Sequence, residues 1–403
     1  MIAFLEIILF AYLAGCVLYN LFFSIAGKIV ARKQTDISEP ETYSSVAILV
    51  PAYKEDSIIL SSAKSYAQLR YPASRYDVIV IADSLQPETL ELLKEASVKV
   101  LPVSFDKSTK ARSLNKAFGE IGDNYDIALI CDADNMLEPD FLLKINRAYL
   151  DGEHVIQAQR VAKNLETPFA VLDTANEIIA NHIYRKGANA VGLSSSVIGS
   201  GMAFHFPLIK EVMQRVSATG GFDKILQLEM VTLGHKVYYL EDALIFDEKI
   251  ENPNAFSNQR RRWISSQFVY LRMFWKKGLK ALFSGNFDYF NLSFCHNLML
   301  PRMLLIAAIC LLTLLSAIFH AYTFIPFTAW AILFVMNAIS LALPLPWIFY
   351  RKYFFTALLI LPKAIGIMVM LVFRLKGANN TFIHTKHNKT DIDNPLLHAS
   401  RKN

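Results

Sequence analysis

The stretch ALICDADNMLEPDF, residues 128–141, decides the fold. An apolar run from Ile127 to Cys131 predicts a buried strand, and the run ends abruptly in Asp132 and Asp134. Two carboxylates one residue apart repel each other, and each resists burial in an apolar core. The pair therefore indicates that a positively charged group is held between the two side chains.

Carboxylate oxygens are ligands for hard cations, and Mg²⁺ takes few ligands from proteins and the rest from substrate phosphates. The sequence thus predicts that Asp132 and Asp134 hold Mg²⁺ or Mn²⁺ together with a diphosphate. A second interpretation stays open at this point. Asp132 would cap a turn into a helix at 139–149, with Glu138 favoured by the dipole of that helix.

The chain before this stretch alternates between apolar strands and helices. Strands are predicted at residues 45–51, 76–82, 98–103 and 126–131, separated by helices at 56–69, 87–96 and 110–120. The strands are apolar throughout instead of alternating with polar residues. This pattern predicts an α/β fold with a parallel sheet that is covered on both faces.

Polar side chains follow three of these strands. They are Asp83, the Asp132–Asp134 pair, and the loop 51–55, which contains Ala52 and Glu55. Because ligands bind beyond the carboxyl ends of strands in such sheets, we expect one site at this edge. Taken singly, each aspartate is as readily explained as the N-cap of the next helix.

Apolar stretches flank this α/β region. The 403-residue chain is 53% hydrophobic with a mean hydropathy of +0.30, and stretches near 2–26, 301–320, 323–346 and 353–373 approach the length of a membrane span. The cations Lys28, Arg32 and Lys33 favour the cytoplasmic side for the region that follows. Three C-terminal spans would place the basic tail outside, whereas its cations favour inside, so the sequence leaves the tail's side open.

Charge and cysteine content narrow the possible partners. The net charge is +6, yet residues 257–280 alone carry seven cations and no acid, with aromatic residues between them. Such a segment predicts an amphipathic helix on a membrane surface, and the adjoining apolar stretches argue against nucleic acid. The four cysteines show no metal-binding spacing and indicate buried thiols in a reducing compartment.

Seven segments in this order resemble the membrane-embedded family 2 glycosyltransferases, which include cellulose, chitin and hyaluronan synthases. They are VPAYKE (50–55), VIADS (80–84), KARSLNKAF (110–118), CDADN (131–135), GSGMAF (199–204), a later aspartate, and QRRRW (259–263). The resemblance covers residues 44–275. It implies a GT-A fold, in which a Rossmann-like mixed α/β sheet binds a nucleotide.

The resemblance also implies roles for particular positions. Glu55 and Asp83 would hold the uridine, with Ala52 beside them, and Lys110 would lie near the diphosphate. Asp132 and Asp134 would form the D-x-D motif, with Asp134 the direct metal ligand and Asp132 also contacting the donor. Acceptor and diphosphate contacts would come from Gln259, Arg262, Trp263 and Gly201. Gly201 equally fits an ordinary glycine turn, and Trp263 equally fits a membrane-interface anchor. Arg260 and Arg261 are expected to face lipid or solvent.

The catalytic base departs from the family pattern. Relatives carry Thr-Glu-Asp, whereas this chain has Gly-Gly-Phe-Asp-Lys at residues 220–224. The spacing from Asp223 to Gly234 matches the relatives, so the resemblance assigns the base to Asp223, with Phe222 in place of the glutamate. Glu229, on the following helix, is the second candidate.

The resemblance therefore predicts an inverting hexosyltransferase that moves a sugar from a UDP-sugar to a saccharide acceptor in polysaccharide synthesis. The alternatives are transfer to a lipid or lipid-linked acceptor without polymer secretion, and a non-enzymatic membrane scaffold. The predicted organisation is a transmembrane helix (1–27), a cytosolic catalytic domain (44–262), an interface helix (263–285), a membrane region of about three spans (286–375) and a basic tail (376–403). The sequence sets neither the sugar nor the oligomeric state.

Overall fold

A mixed eight-stranded sheet forms the centre of the described part of the chain. The computed structural model describes residues 1–31, 34–96, 98–216, 221–374 and 387–397. Arg32, Lys33 and Gly220 lie outside the described residues, as does most of the predicted basic tail. The strands, in chain order, are β1 (Val46–Tyr53), β2 (Tyr76–Asp83), β3 (Lys99–Val103), β4 (Ile127–Ile130), β5 (Met136–Leu137), β6 (Val155–Ala162), β7 (Met202–His205) and β8 (Tyr238–Asp247).

The sheet has the strand order β3-β2-β1-β4-β7-β6-β8-β5. Strands β1 to β4 are parallel, as the apolar pattern predicts, while β7 runs antiparallel to both β4 and β6. The predicted α/β fold with a mixed sheet is confirmed. The antiparallel β7 separates two parallel sets of strands, β1 to β4 on one side and the pair β6 and β8 on the other.

Helices cover both faces of the sheet. The helices are α1 (Ile2–Ile29), α2 (Ile59–Tyr66), α3 (Pro87–Glu95), α4 (Lys110–Glu120), α5 (Phe141–Leu150), α6 (Pro168–Ala180), α7 (Ala188–Ala190), α8 (Phe206–Met213), α9 (Phe222–Thr232), α10 (Pro253–Phe283), α11 (Phe287–Phe290), α12 (His296–Leu298), α13 (Arg302–Ile318), α14 (Phe327–Ala342), α15 (Trp347–Lys352) and α16 (Phe354–Val372). Short 3₁₀ and π-helical turns occupy Ala73–Arg75, Asn181–Gly187 and Asn291–Cys295.

Alternate residues of β1 show how the two faces are filled. Ile48 and Val50 pack in one core with α2 and α5, while Ala47 and Leu49 pack in a second core with α4, α8 and α9. All four side chains are fully buried or nearly so. A strand buried on both faces must be apolar at every position, which explains the continuous apolar run.

The segment predicted as an interface helix at 263–285 is part of a longer helix. Helix α10 begins at Pro253, where the Asn252 side chain caps it by accepting a hydrogen bond of 2.9 Å from the Ala255 amide. Proline suits the first position of a helix because no bond is lost there. One helix therefore carries both the Q-x-x-R-W residues and the segment predicted to be amphipathic.

Two helices of the described chain, α1 and α16, are long and apolar enough to cross a membrane. The segments Phe287–Leu298 and Arg302–Ile318 together form a third candidate, bent by 55°. Helix α14 has 16 residues, fewer than the roughly 20 that a perpendicular span requires. These features indicate membrane association.

The tail segment His387–Leu397 returns to the α/β domain. Asp393 N donates to Lys163 O at 2.8 Å, and Asn394 Nδ2 donates to Ala162 O at 2.7 Å. In the described structure, the tail segment therefore packs beside β6. Two segments in contact lie on the same side of any membrane.

Helix α1 packs closely against Gly187 of the α/β domain, so a larger residue at position 187 should lower the stability of the fold. A Cβ on Gly187 would lie 2.2 Å from the Phe23 carbonyl oxygen of α1, whereas a Cβ on Gly119 of α4 would meet nothing within 4 Å. We expect Gly187→Ala to destabilise by about 1–3 kcal/mol through overpacking. Gly119→Ala should stabilise by up to about 1 kcal/mol.

Thermal unfolding of both variants in the same detergent tests this contrast. Equal melting temperatures for the two variants would show that α1 does not pack on Gly187.

Candidate active site

A cavity of about 780 Å³ opens at the carboxyl ends of β1, β2 and β4. Its lining brings together residues separated by more than half of the chain. Of the predicted site residues, the lining includes Ala52, Glu55, Asp83, Lys110, Asp132, Asp134, Asp223, Gln259, Arg262 and Trp263.

The acidic pair lies in a turn after β4. Asp132 N donates to Asn135 Oδ1 at 2.8 Å, and this bond fixes the turn. Asp132 is partly exposed to the cavity, while Asp134 is 2% exposed and its Oδ2 accepts from Glu248 N at 3.0 Å. Burial raises the pKa of the Asp134 carboxyl to about 6, with His387 opposing the rise. The neighbouring cations His387 and Lys163 thus compensate the charge of the buried Asp134 carboxylate only in part.

The donor set fits a hard divalent cation that is bound jointly with a ligand. Within the described residues, no group of three His, Cys, Asp or Glu side chains is close enough to hold a metal on its own. Two carboxylates on one turn supply part of a shell, and Mg²⁺ or Mn²⁺ would take further oxygens from a diphosphate and water. The buried, under-compensated Asp134 agrees with such an ion.

The ends of β1 and β2 line the cavity across from the acidic pair. Tyr53 pairs with Asp83 in the sheet, so both strands end together. The following residues, Lys54 and Ser84, have φ angles of 56° and 59°, which non-glycine residues rarely adopt. Asp83 is 1% exposed, and its Oδ2 has no hydrogen-bond partner in the described part of the chain. An N–H donor on a ligand would satisfy this buried oxygen.

Lys110 joins the acidic pair to the loop before β7. Its ammonium forms an ion pair with Asp132 and donates to Gly199 O at 2.6 Å. The first turn of α4 carries Lys110, and Thr109 caps that helix by accepting from Arg112 N. The cation is therefore fixed beside the carboxylates, where it can neutralise a phosphate.

Asp223 faces the same cavity from the first turn of α9. Gly221, two residues before Asp223, has a φ angle of +66°. Its carbonyl oxygen accepts a hydrogen bond of 2.9 Å from Tyr270 Oη. A Cβ on Gly221 would approach Tyr270 Cε2 to 3.0 Å, so both φ and space require glycine. Burial raises the pKa of Asp223, while Lys224 and Lys110 oppose the rise. A raised pKa makes a carboxylate a stronger base.

The first turns of α10 contribute three predicted residues. Gln259, Arg262 and Trp263 line the cavity, and the Gln259 Oε1 atom is buried with no hydrogen-bond partner among the described residues. Burial lowers the pKa of Arg262, and Asp132 opposes this, so the guanidinium lies within electrostatic reach of the acidic pair.

The expectation that Arg260 faces lipid or solvent is wrong. Arg260 is buried, forms an ion pair with Asp173 of α6, and lies 4.4 Å from the centroid of the Trp263 ring. Helical periodicity explains this, since the cavity side of α10 includes positions 259, 260 and 263. Arg261 is half-buried, and its Nε donates to Arg374 O at 2.7 Å.

Two predicted candidates lie off the cavity. Gly201 is not part of its lining; its φ is +62°, and a Cβ there would lie 2.8 Å from Ile245 Cγ2, so packing requires this glycine. Gly199 lines the cavity instead. Glu229 lines a separate pocket with Phe274 and Lys277. The structure therefore brings Asp223, and not Glu229, to the acidic pair.

The sequence interpretation missed three residues near the acidic pair, of which Asp247 and His387 line the cavity and Lys163 lies behind it. Asp247 ends β8 and forms an ion pair with Lys249 at 2.8 Å. Lys163 is fully buried and donates to the backbone carbonyl of Asp134. His387 Nδ1 lies 3.1 Å from Glu55 Oε1. Burial alone would lower the pKa of His387, but the carboxylates of Asp134 and Glu55 raise this pKa to about 10. Asp247 could have been predicted in the same way as Asp83, because it also lies at the carboxyl end of a strand. No nearby sequence pattern distinguishes Lys163 or His387 from other residues of their type.

The mixed sheet and the acidic turn after β4 define a GT-A-like glycosyltransferase fold. A sequence profile of the family described as "Glycosyltransferase like family 2" matches residues 43–266, more than half of the chain. The protein belongs to this family.

Individual relatives agree with this assignment. The chain is similar to the probable glycosyltransferase YdaM of Bacillus subtilis (strain 168), with 24% identity over 309 residues that cover 72% of this chain and 71% of YdaM. The fold is similar to the mannosyltransferase PcManGT from Pyrobaculum calidifontis in complex with GDP-Man and Mn²⁺. The TM-score is 0.57 and the identity 16%, over 92% of this chain and 98% of the other.

Proposed function

We propose that the protein is a metal-dependent, inverting family 2 hexosyltransferase that moves a sugar from a nucleotide diphosphate donor to a hydroxyl of a saccharide acceptor. One observation carries the proposal. A single cavity joins the D-x-D carboxylates, fixed cations and an aspartate with a raised pKa. A scaffold without activity would have no use for this combination.

The residues around the acidic pair would bind and neutralise the donor diphosphate. Asp132 and Asp134 would hold Mg²⁺ or Mn²⁺, which supplies Lewis-acid stabilisation of the leaving diphosphate. Lys110 and Arg262 add fixed positive charge on the same side. The planar guanidinium of Arg262 suits bidentate contact with a phosphate.

Asp223 would act as general base. The acceptor oxygen forms a bond to the anomeric carbon, while the bond from that carbon to the diphosphate oxygen breaks. The acceptor's proton passes to the Asp223 carboxylate, and the bonding electrons leave with the nucleoside diphosphate. Inversion follows because attack and departure occur on opposite faces of the sugar. Trp263 offers an apolar ring face for the acceptor sugar.

The first possible role of the proposed transferase is polysaccharide synthesis at the membrane, which the resemblance to the membrane-embedded synthases implies. Transfer to a lipid-linked saccharide is the second, and two observations favour it. Polymer secretion needs a channel, and the described chain supplies few long apolar helices for one. The cavity also ends beside these helices at Arg302, which has no ion pair among the described residues.

We further propose that the protein is integral to the cytoplasmic membrane with its catalytic domain in the cytosol. Lys28 lies in the last turn of α1, and such cations favour the cytoplasmic side. The tail would lie on the same side because it contacts the domain. Thiol labelling of the Lys389→Cys variant in sealed vesicles tests this; labelling only from the side opposite the cytosol would contradict it.

The proposed contact between the nucleobase of the donor and Asp83 can be tested by substitution. A uracil or guanine base offers a ring N–H to the unpartnered Asp83 Oδ2. We expect Asp83→Asn to raise the KM for the donor about tenfold with little change in kcat, because a charge-assisted hydrogen bond to the donor is lost. Steady-state kinetics measure this, and Asp77→Asn, on the same strand but away from the cavity, is the control. A fall in kcat alone would contradict a donor-binding role.

The pH dependence follows from the raised pKa of Asp223. The base must be deprotonated, so kcat/KM falls as the pH drops through this pKa. Because the pKa is raised, the fall begins at a higher pH than for an ordinary aspartate. A pH–rate profile of Asp223→Asn should lack this limb in its residual activity. An unchanged acidic limb in that variant would assign the limb to another group.

The primary experiment measures nucleoside diphosphate release by the purified full chain. UDP- and GDP-sugars are both offered with Mn²⁺ or Mg²⁺ and membrane lipid extract, since the similar mannosyltransferase binds GDP-Man. We expect release from one donor that disappears on chelation. Binding of no donor nucleotide at any concentration would leave only the scaffold interpretation.

A further inference from the structure

The end of the cavity remote from Asp83 is built from α6, the π-helical turn after it, and the start of α13. Asn176, Tyr184, Arg185 and Arg302 line this end, and Met303 and Met368 bring apolar surface from α13 and α16. Both of these helices are candidates for membrane segments. The cavity therefore extends from the acidic pair to the membrane-facing part of the protein.

Arginines predominate among the charged side chains around α6. The carboxylates of α6 are Asp173 and Glu177, and the cations beside them are Arg160, Arg185, Lys249, Arg260 and Arg302, while Asp247 lines the cavity nearby. The ion pairs use Arg160 and Arg185 with Glu177, Lys249 with Asp247, and Arg260 with Asp173. Among the described residues, Arg302 has no carboxylate within ion-pair distance, and Glu177 acts on it only at longer range.

The two arginines nearest the membrane helices have unused donors. Arg302 Nη2 donates to Asn176 O at 3.0 Å and to Asn176 Oδ1 at 2.7 Å, while its buried Nη1 has no partner in the described structure. Arg185 is 3% exposed; its Nη1 donates to Asn181 Oδ1 at 2.6 Å, and its Nε has no partner there.

The Tyr184 ring packs against the side chain of Arg302. The Arg302 guanidinium lies 5.4 Å from the centroid of the Tyr184 ring. Removing a guanidinium from water without an anion is costly, and a buried donor left unbonded adds to that cost. An anionic ligand with several oxygens would pair with the Arg302 guanidinium and accept from the free N–H groups of Arg302 and Arg185.

We propose that Arg302 and Arg185 bind a phosphate group that links the acceptor saccharide to a lipid carrier. The inference rests on the proposed function and names the class of its acceptor. A phosphate presents oxygens that match the guanidinium fork. Arg302 is the first residue of α13, and Met303 and Met368 line the same end, so the lipid chain would leave along apolar helices.

The geometry also assigns an order to the acceptor along the cavity. The phosphate lies at the arginine end, and the saccharide extends past Trp263 towards Asp223, where the reacting hydroxyl is deprotonated. Arg302 and Arg185 are thus acceptor-binding residues that do not contact the reacting atoms.

Binding of farnesyl phosphate to the full chain in detergent tests the proposal. The titration is done with Mn²⁺ and saturating nucleoside diphosphate, so that the acidic pair is already occupied. The variants are Arg302→Gln, Arg302→Lys and the control Arg272→Gln, which removes an exposed cation of α10. Farnesol and glycerol phosphate are titrated in parallel.

We expect farnesyl phosphate to bind the wild type and the control equally, and Arg302→Gln at least about tenfold more weakly. Arg302→Lys, which keeps the charge but loses the fork, should fall between them while its nucleotide affinity stays unchanged. If Arg302→Gln does not fold, the lysine variant decides the outcome. Unweakened binding in the folded variants, or equal binding of farnesol, overturns the phosphate site. Equal binding of glycerol phosphate overturns the lipid carrier.

This binding assay needs no turnover, so its failure is separate from failure of the proposed function. Phosphate-selective binding without any sugar transfer would remove the function and keep the site. Sugar transfer with no preference for farnesyl phosphate over farnesol would keep the function and remove the site.

Discussion

Replacing Asp223 with asparagine should lower the turnover number by about 10²–10⁴-fold, because the variant lacks the proposed general base for the acceptor hydroxyl. Asparagine has nearly the same shape as aspartate and cannot take a proton. Donor binding should therefore change little, since the metal, Lys110 and Arg262 remain. The measurement is nucleoside diphosphate release with acceptor present, together with an independent titration of the nucleotide.

Glu229→Gln is the matched control for this experiment. Glu229 lies on the same helix as Asp223 but lines a different pocket. It should retain nearly full activity. The reverse result, with Asp223→Asn active and Glu229→Gln inactive, would move the base to Glu229 and contradict the assignment from the cavity.

Replacing Asp134 with asparagine should abolish metal-dependent transfer, with a loss of about 10³-fold or more. A metal acting as a Lewis acid contributes several kcal/mol to the transition state, and each 1.36 kcal/mol is a factor of ten in rate. The neutral amide would also fit the buried position without the penalty that the carboxylate bears. The variant should therefore fold at least as stably as the wild type, which separates catalytic loss from unfolding.

Two measurements check this second prediction. One is the activity as a function of Mn²⁺ concentration, and the other is the melting temperature. Asp140→Asn is the matched control, because Asp140 follows the same turn and forms an ion pair with Arg70 away from the cavity. An Asp134→Asn enzyme that still responds to Mn²⁺ with the wild-type midpoint would contradict a metal role for Asp134.

The sequence was most informative where local pattern and topology coincide. Ile127–Ile130 and Val46–Tyr53 are apolar at nearly every position because helices cover both faces, and this alone identifies parallel strands. The ends of parallel strands then meet at one edge, so Asp83 and Asp132 could be placed together without coordinates. Asp223 and Arg262 required the family resemblance, since no local periodicity brings α9 and α10 to that edge.

The remainder of the site depends on contacts that sequence patterns do not encode. Lys163 resembles any lysine that follows a strand, and only the tertiary fold shows that it is fully buried beside Asp134. Arg260 belongs to a run of three arginines, and its neighbour Asp173 lies 87 residues earlier. Gly201 illustrates the opposite error, in which a packing requirement against Ile245 was read as a ligand contact.

The position of His387 has a consequence for biosynthesis. The ribosome makes this residue after every membrane helix that the structure describes, yet its imidazole contacts Glu55 at the start of the catalytic domain. A nascent chain with α16 just completed already possesses Asp132, Asp134 and Asp223 but lacks one wall of the nucleotide pocket. If the proposed donor site is correct, donor binding should therefore mature only after the segment containing His387 has been synthesised and has reached Glu55.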